Sequence, residues 1–184
     1  MKILITYHSE TGNTQKIAEM INEVASKDNE TKLINTKEAK KENFEDYDLI
    51  FIGAACHSSD FAKPVLKLLP NLPESPDFKL AGFMTHSTYL PEEGDERKQF
   101  LHERWAGNAK KTLEWTCKQK KIEFAGFFSC MGKPSKAIEK FIRKQIITED
   151  DEWADYIEIV NQHPNEEDFQ NAKKFAQEVI DKFV

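Results

Sequence analysis

Cysteine is scarce in this chain, and so are the patterns that would let cysteine organise it. Cys56, Cys117 and Cys130 are odd in number, widely spaced and without a C-x-x-C pair. A disulfide framework and a thiolate metal site are therefore not expected, and a reducing, cytoplasmic compartment is the simplest home. Long apolar runs are missing too. No stretch approaches the ~20 residues needed to span a bilayer. The N-terminus enters Ile3-Leu4-Ile5 directly, without the basic region and cleavage site of a signal peptide. Membrane insertion is not expected. Nor is there a cluster of Lys and Arg interleaved with aromatics; Lys40-Lys41 and Lys110-Lys111 read as solvated faces. The formal net charge of -6 repels nucleic-acid phosphates and anionic membranes, so the expected partners are proteins with basic docking surfaces and small molecules.

What is present is alternation. The 184 residues suffice for one domain, able to bury roughly 70% of its unfolded surface. The apolar residues fall into short runs separated by amphipathic stretches, the pattern of a parallel sheet covered by helices on both faces. Strands are expected at Lys2 to Tyr7, Thr31 to Asn35, Asp48 to Ala54, Leu80 to Thr85 and Ile122 to Cys130. Helices are expected at Asn13 to Lys27, Phe61 to Leu69 and Lys98 to Lys121. A last helix follows Pro164-Asn165, with Glu166, Glu167 and Asp168 loading its first turn. Residues 131–163 are too long for a simple connection and form an inserted, mostly helical segment, either added packing or a partner surface or lid.

Strands and helices in this order, joined by right-handed crossovers, predict an α/β three-layer sandwich with a five-stranded parallel sheet in the order 2-1-3-4-5. Ligands of such sheets bind at the switch point between strands one and three. The loops His8 to Asn13, Ala55 to Asp60 and His86 to Asp95 surround it.

The first of these loops carries the chemistry. Ser9-Glu10-Thr11-Gly12-Asn13-Thr14 follows a buried strand and opens an amphipathic helix, so free backbone N–H groups and the helix dipole face the gap. Ser9, Thr11 and Thr14 add hydroxyls, Asn13 an amide, and Gly12 a close backbone approach. The loop contains no Lys or Arg, and neither G-x-x-x-x-G-K-[ST] nor G-x-G-x-x-G is found. A neutral cradle of this kind suits one monophosphate. The plain alternative is a capped turn with incidental hydroxyls.

The stretch from Ile3 to Thr14 resembles the N-terminus of flavodoxins, whose S/T-x-T-G-N-T loop holds the phosphate of FMN. The resemblance implies a flavodoxin-like fold, noncovalent FMN and electron transfer between redox proteins. By position it assigns Ser9, Glu10, Thr11, Gly12, Asn13 and Thr14 to the phosphate, with the Glu10 carboxylate turned outward. It places Ala55, Cys56, His57 and Ser58 beside the flavin ring, with Thr85, His86, Ser87 and Tyr89 opposite. Many flavodoxins carry a Trp and a Gly in the loop after the third strand, and this chain has neither, which puts strong stabilisation of one-electron-reduced flavin in doubt. Tyr89 either stacks on the ring or caps apolar surface. Cys56 and Cys130 either pack or approach the ring. His57 and His86 either bond the flavin or are polar loop residues. Trp105 and Trp115 read as core or interface aromatics.

Two other functions stay open. One is an FMN-dependent NAD(P)H oxidoreductase acting on quinones or other small acceptors, which needs substrate room above the flavin. The other is a flavin-free interaction domain using the inserted segment, against which the intact phosphate loop speaks.

Overall fold

The computed structural model describes residues 1–183, and the parallel sheet is its frame. The strands are β1 (Lys2–His8), β2 (Glu30–Asn35), β3 (Leu49–His57), β4 (Asp60–Phe61), β5 (Lys79–His86) and β6 (Glu123–Met131). Five of them run parallel in the order β2-β1-β3-β5-β6. This is the expected order, with β5 and β6 as the fourth and fifth long strands. The sixth strand was not expected: β4 folds back antiparallel on β3, pairing His57 with Asp60 and Cys56 with Phe61. Two residues carry no periodicity, so no sequence pattern announces it.

The helices are α1 (Asn13–Ala25), α2 (Thr36–Ala39), α3 (Lys63–Leu66), α4 (Glu96–Ala106), α5 (Asn108–Lys120), α6 (Lys136–Gln145), α7 (Asp150–Val160) and α8 (Glu166–Ile180). Successive strand residues point to opposite faces, so each strand feeds two cores. Leu4, Ile50, Ile52, Leu80 and Met84 meet Val65 of α3 and Ala109, Leu113 and Cys117 of α5. Ile3, Ile5, Leu49, Phe51 and Phe83 meet Ile17 and Ile21 of α1 and Ala172, Ala176 and Val179 of α8. Burying each large apolar side chain contributes about 1.5–3 kcal/mol. Asn165 caps α8 in a box with Asp168, as its sequence suggests.

Two expected helices differ. Phe61 to Leu69 is shortened, because Phe61 pairs in β4, and α3 is followed by a 3-10 turn at Leu69–Asn71. Lys98 to Lys121 is broken at Gly107 into α4 and α5. There the Asn108 amide leaves the helix to donate to the Ser59 carbonyl, 2.9 Å away. A tertiary hydrogen bond thus outweighs continuous helix propensity.

Residues 131–163 form α6 and α7, and with α4 they enclose a third core outside the sandwich. It contains Tyr89, Leu101, Met131, Ile142, Ile147, Tyr156 and Val160. This small core sits beside the carboxyl ends of β5 and β6 and raises α6 over the switch point. Among the described residues, no helix is long and apolar enough to cross a membrane.

Candidate functional site

A cleft of about 350 Å³ opens where the carboxyl ends of β1, β3, β5 and β6 converge. That volume lies in the range of small-molecule and cofactor sites. Its lining includes Glu10, Thr11 and Asn13 from the first loop, Ala55 to Ser59 from the second and Thr85 to Thr88 from the third. Three separate sequence segments expected to meet do meet.

The floor is the β1–α1 turn. Gly12 has φ +90°, a left-handed conformation that L side chains rarely adopt. Its amide donates to Ser9 Oγ at 3.1 Å, which closes the turn. α1 starts with no side-chain cap and no acid in its first turn, whereas α6 is capped by Ser135 and α8 by Asn165. The first-turn amides of α1 lack intrahelical partners by geometry, and no side chain among the described residues caps them. Thr11 is exposed on the cleft side. The Glu10 carboxylate is turned outward, between His8 at 3.4 Å and His57 at 3.8 Å.

Two expected donors face elsewhere. Thr14 is fully buried, with its hydroxyl 2.8 Å from that of Thr85, and it fastens α1 to β5. The Asn13 side chain donates to the Lys133 carbonyl at 2.8 Å and fastens the first loop to the one after β6. Ser9 closes the turn and does not line the cleft, so Thr11 and the first-turn backbone amides are the groups left open.

The second wall is a hairpin turn between β3 and β4. Ser58 and Ser59 both have positive φ, 52° and 71°, in a two-residue turn where Asn-Gly is the usual solution. Each left-handed non-glycine residue costs roughly 1–2 kcal/mol. The surroundings hold the turn in place: Thr112 Oγ1 donates to Asp60 Oδ2 at 2.6 Å, and Asn108 N donates to the Ser59 carbonyl. The Cys56 thiol donates to the Trp105 carbonyl at 3.2 Å. Burial pushes that thiol up to about 12, so it stays protonated and unreactive at neutral pH.

In the third wall His86 is 3% exposed, with Nδ1 3.2 Å from the Thr88 carbonyl and its ring edge-on to His102 at 4.9 Å. Burial, followed by the neighbouring His102, lowers its pKa to about 3. Its Nε2 has no hydrogen-bond partner among the described residues. A neutral ring with Nδ1–H toward Thr88 leaves Nε2 as a buried acceptor. Ser87 Oγ donates to the Gly132 carbonyl and Tyr156 to the Ser87 carbonyl, at 2.8 and 2.6 Å. The third and fourth loops are thereby joined.

Tyr89 does not line the cleft. It is 7% exposed and packs edge-to-face on Tyr156 at 5.5 Å in the third core, so it caps apolar surface. Cys130 is buried on the α1–α8 side and does not line the cleft either. Trp115 is 64% exposed on α5, so it is no core residue. The aromatic residue at the cleft is Trp105 rather than Tyr89. It lines the cleft and meets Phe141 of α6 edge-to-face at 5.7 Å.

The fourth wall was not anticipated as part of the site. Gly132, Lys133, Pro134 and Ser135, followed by Ile138, Phe141 and Ile142 of α6, close it with mostly apolar side chains. The available signal was the spacing Ile138, Phe141, Ile142 on one helical face, which indicates burial but not against what.

Comparison with known proteins agrees with this architecture. The family described as Flavodoxin domain matches residues 4–177. An uncharacterized protein of Methanocaldococcus jannaschii is 27% identical over 185 residues, covering 98% of this chain and 99% of that one. Among solved structures, a short-chain flavodoxin associated with a non-canonical PDU bacterial microcompartment has a TM-score of 0.66 at 10% identity, over 100% of this chain and 99% of that one. Oxidised Flavodoxin 1 from Bacillus cereus has a TM-score of 0.63 at 14% identity, over 100% of both chains. At such identities the structural likeness speaks for the fold alone.

Proposed function

The chain belongs to the flavodoxin family, flavin-binding electron-transfer proteins, and on that footing we propose that it binds FMN in this cleft and passes electrons between redox proteins. One observation carries the reading: the uncapped start of α1, with Gly12 at φ +90°, opens onto the cleft at the sheet's switch point. The residues fit a phosphate. The first-turn amides of α1 and the Thr11 hydroxyl offer hydrogen bonds there, and the dipole of a 13-residue helix lies behind them. The residues also fit a flat aromatic ring, because Trp105, Ile138 and Phe141 supply an apolar wall facing the loop of Ala55 to Ser58.

FMN supplies reversible uptake and release of electrons, and the protein's part is to bind, orient and shield it. Ser58 and Ser59 hold their turn in one geometry, so the peptide groups beside the ring stand preset.

Titration with FMN and with riboflavin, followed by flavin fluorescence, tests the reading. Two charge-assisted hydrogen bonds of about 1.5 kcal/mol each correspond to roughly 100-fold tighter binding of FMN. Equal affinity would remove the phosphate cradle from the account, and binding of neither would remove the flavin. The apolar wall of α6 also gives the reductase reading a foothold. Rapid reduction of the FMN-loaded protein by NADPH alone, with turnover of a quinone, would replace carrier by enzyme.

A further inference from the structure

The turn in the second wall of the cleft owes its geometry to residues far along the chain. Ser58 and Ser59 both have positive φ, and neither is the glycine or asparagine that such a two-residue turn favours. Inside the hairpin, Ala62 N donates to the Ala55 carbonyl at 3.0 Å and Phe61 N to Asp60 Oδ1 at 2.7 Å. These bonds join the two arms. The tip is held from outside, by hydrogen bonds to one corner of the fold, where α4 gives way to α5. Asn108 N donates to the Ser59 carbonyl, Thr112 Oγ1 to Asp60 Oδ2, and the Cys56 thiol to the Trp105 carbonyl, between partners 49 to 52 residues apart. The corner depends on Gly107, where a Cβ would lie 2.5 Å from the Glu103 carbonyl oxygen. It also carries Trp105, which lines the cleft together with Ala55 to Ser59. One set of bonds therefore sets the turn and the aromatic side chain relative to each other.

We propose that Asp60 and Thr112 are positioning residues of the flavin site, whose hydrogen bond latches the Ser58–Ser59 turn in the geometry that receives the ring. The proposal rests on the FMN reading. Neither residue lines the cleft, so both act through the turn. The Asp60 carboxylate spends one oxygen on its own hairpin, at Phe61 N, and the other on α5, at the Thr112 hydroxyl. It thereby joins turn to helix through a hydrogen bond of the stronger, charge-assisted kind. A turn that leaves this geometry part of the time binds ligand in proportion to the fraction of chains in which it is latched. The loss falls on the ring end of the ligand. The phosphate end, at the start of α1, lies on another loop and keeps its amides. FMN and riboflavin share the ring, so both should weaken by one factor.

The test combines flavin affinities, from fluorescence, with amide hydrogen exchange of the flavin-free chain at residues 58–62. Thr112→Val keeps the branched shape and removes the hydroxyl. It should weaken FMN and riboflavin alike, by about 3- to 10-fold, leave their ratio at the wild-type value and speed exchange at the turn. Asp60→Asn, which makes the bond neutral, should show the same pattern at smaller size. Thr112→Ser, which keeps the hydroxyl, should stay within about 2-fold of wild type. The decisive variant adds Ser58→Asn and Ser59→Gly to Thr112→Val. Asn-Gly specifies this turn by its own backbone preference, so affinity for both flavins should return without the latch. Unchanged affinities or unchanged exchange in Thr112→Val, a loss confined to FMN, or a loss that Asn-Gly does not recover would each overturn the proposal, the last by making Thr112 a packing residue of α5. A wild-type chain that binds neither flavin would overturn the FMN reading itself, and the positioning role would fall with it, a result distinct from the others because no variant takes part in it.

Discussion

Ser59 and Gly12 have similar backbone angles, φ 71° and 90°, and opposite side-chain chemistry, so substitutions at the two should have opposite signs. Gly12→Ala meets no atom within 4 Å of the new Cβ, so its effect is backbone strain alone, a loss of roughly 1–2 kcal/mol. Ser59→Gly relieves such strain and also removes a buried hydroxyl without a partner. Against the extra entropy of glycine in the unfolded chain, this leaves a gain of about 1 kcal/mol. Urea midpoints should move down for the first and up for the second. A second residue-scale prediction concerns His86. Its folded pKa is lowered to about 3, while the unfolded value is about 6.5. Below about 6.5 the unfolded chain takes up a proton that the folded chain refuses, so stability falls as pH drops from there toward 3. His102, lowered by its own burial, acts in the same direction. The denaturation midpoint should be lower at pH 5.5 than at 7.5, with the difference reduced in His86→Gln. An unchanged midpoint across that interval would mean that His86 is not buried as described.

Elements were legible in the sequence where their own periodicity decides them. β1, β3, α1 and α8 lie within a few residues of where apolar spacing puts them, because each buries one stripe or run against a large core. The turn of Ser9 to Thr14 was legible for the same local reason: strand, glycine and helix start are contiguous. What could not be read was decided by contacts distant in sequence. Gly107 breaks a helix because Asn108 reaches Ser59, and Tyr89 turns away from the cleft because α7 offers it Tyr156. Trp105 and α6 enter the site only once the third core exists. Spacing between β3 and β5 provides a test at this scale. An added Cβ on Gly53 would lie 2.2–2.4 Å from the ring of Phe83, a buried residue of the neighbouring strand. The ring cannot retreat without disturbing Phe51 and α1, which share its core. Gly53→Ala should therefore cost about 1–3 kcal/mol or more as overpacking, read as a fall in the urea midpoint with an unchanged slope. A neutral Gly53→Ala would mean that the two central strands are less tightly packed than described.

Across the whole molecule, two cores fix the sandwich and the third fixes a cover over its switch point, so ligand in the cleft touches loops from β1, β3, β5 and β6 together. A ligand that contacts four loops binds the folded chain and not the unfolded one, and it stabilises the fold by mass action. At a free concentration 100 times its Kd, FMN contributes about 2.7 kcal/mol. In a chain of this size each kcal/mol corresponds to about 2–4 °C, so the melting temperature should rise by roughly 5–10 °C. Riboflavin at the same concentration forgoes the amides at the start of α1 and should raise it far less. The comparison separates the parts of the site. An equal shift from both flavins would assign the stabilisation to the apolar wall of Trp105 and α6. A shift from inorganic phosphate alone would assign it to the helix start. Only a large FMN shift, with small ones from riboflavin and phosphate separately, corresponds to a cleft in which the β1–α1 turn and the α6 wall hold the two ends of one molecule.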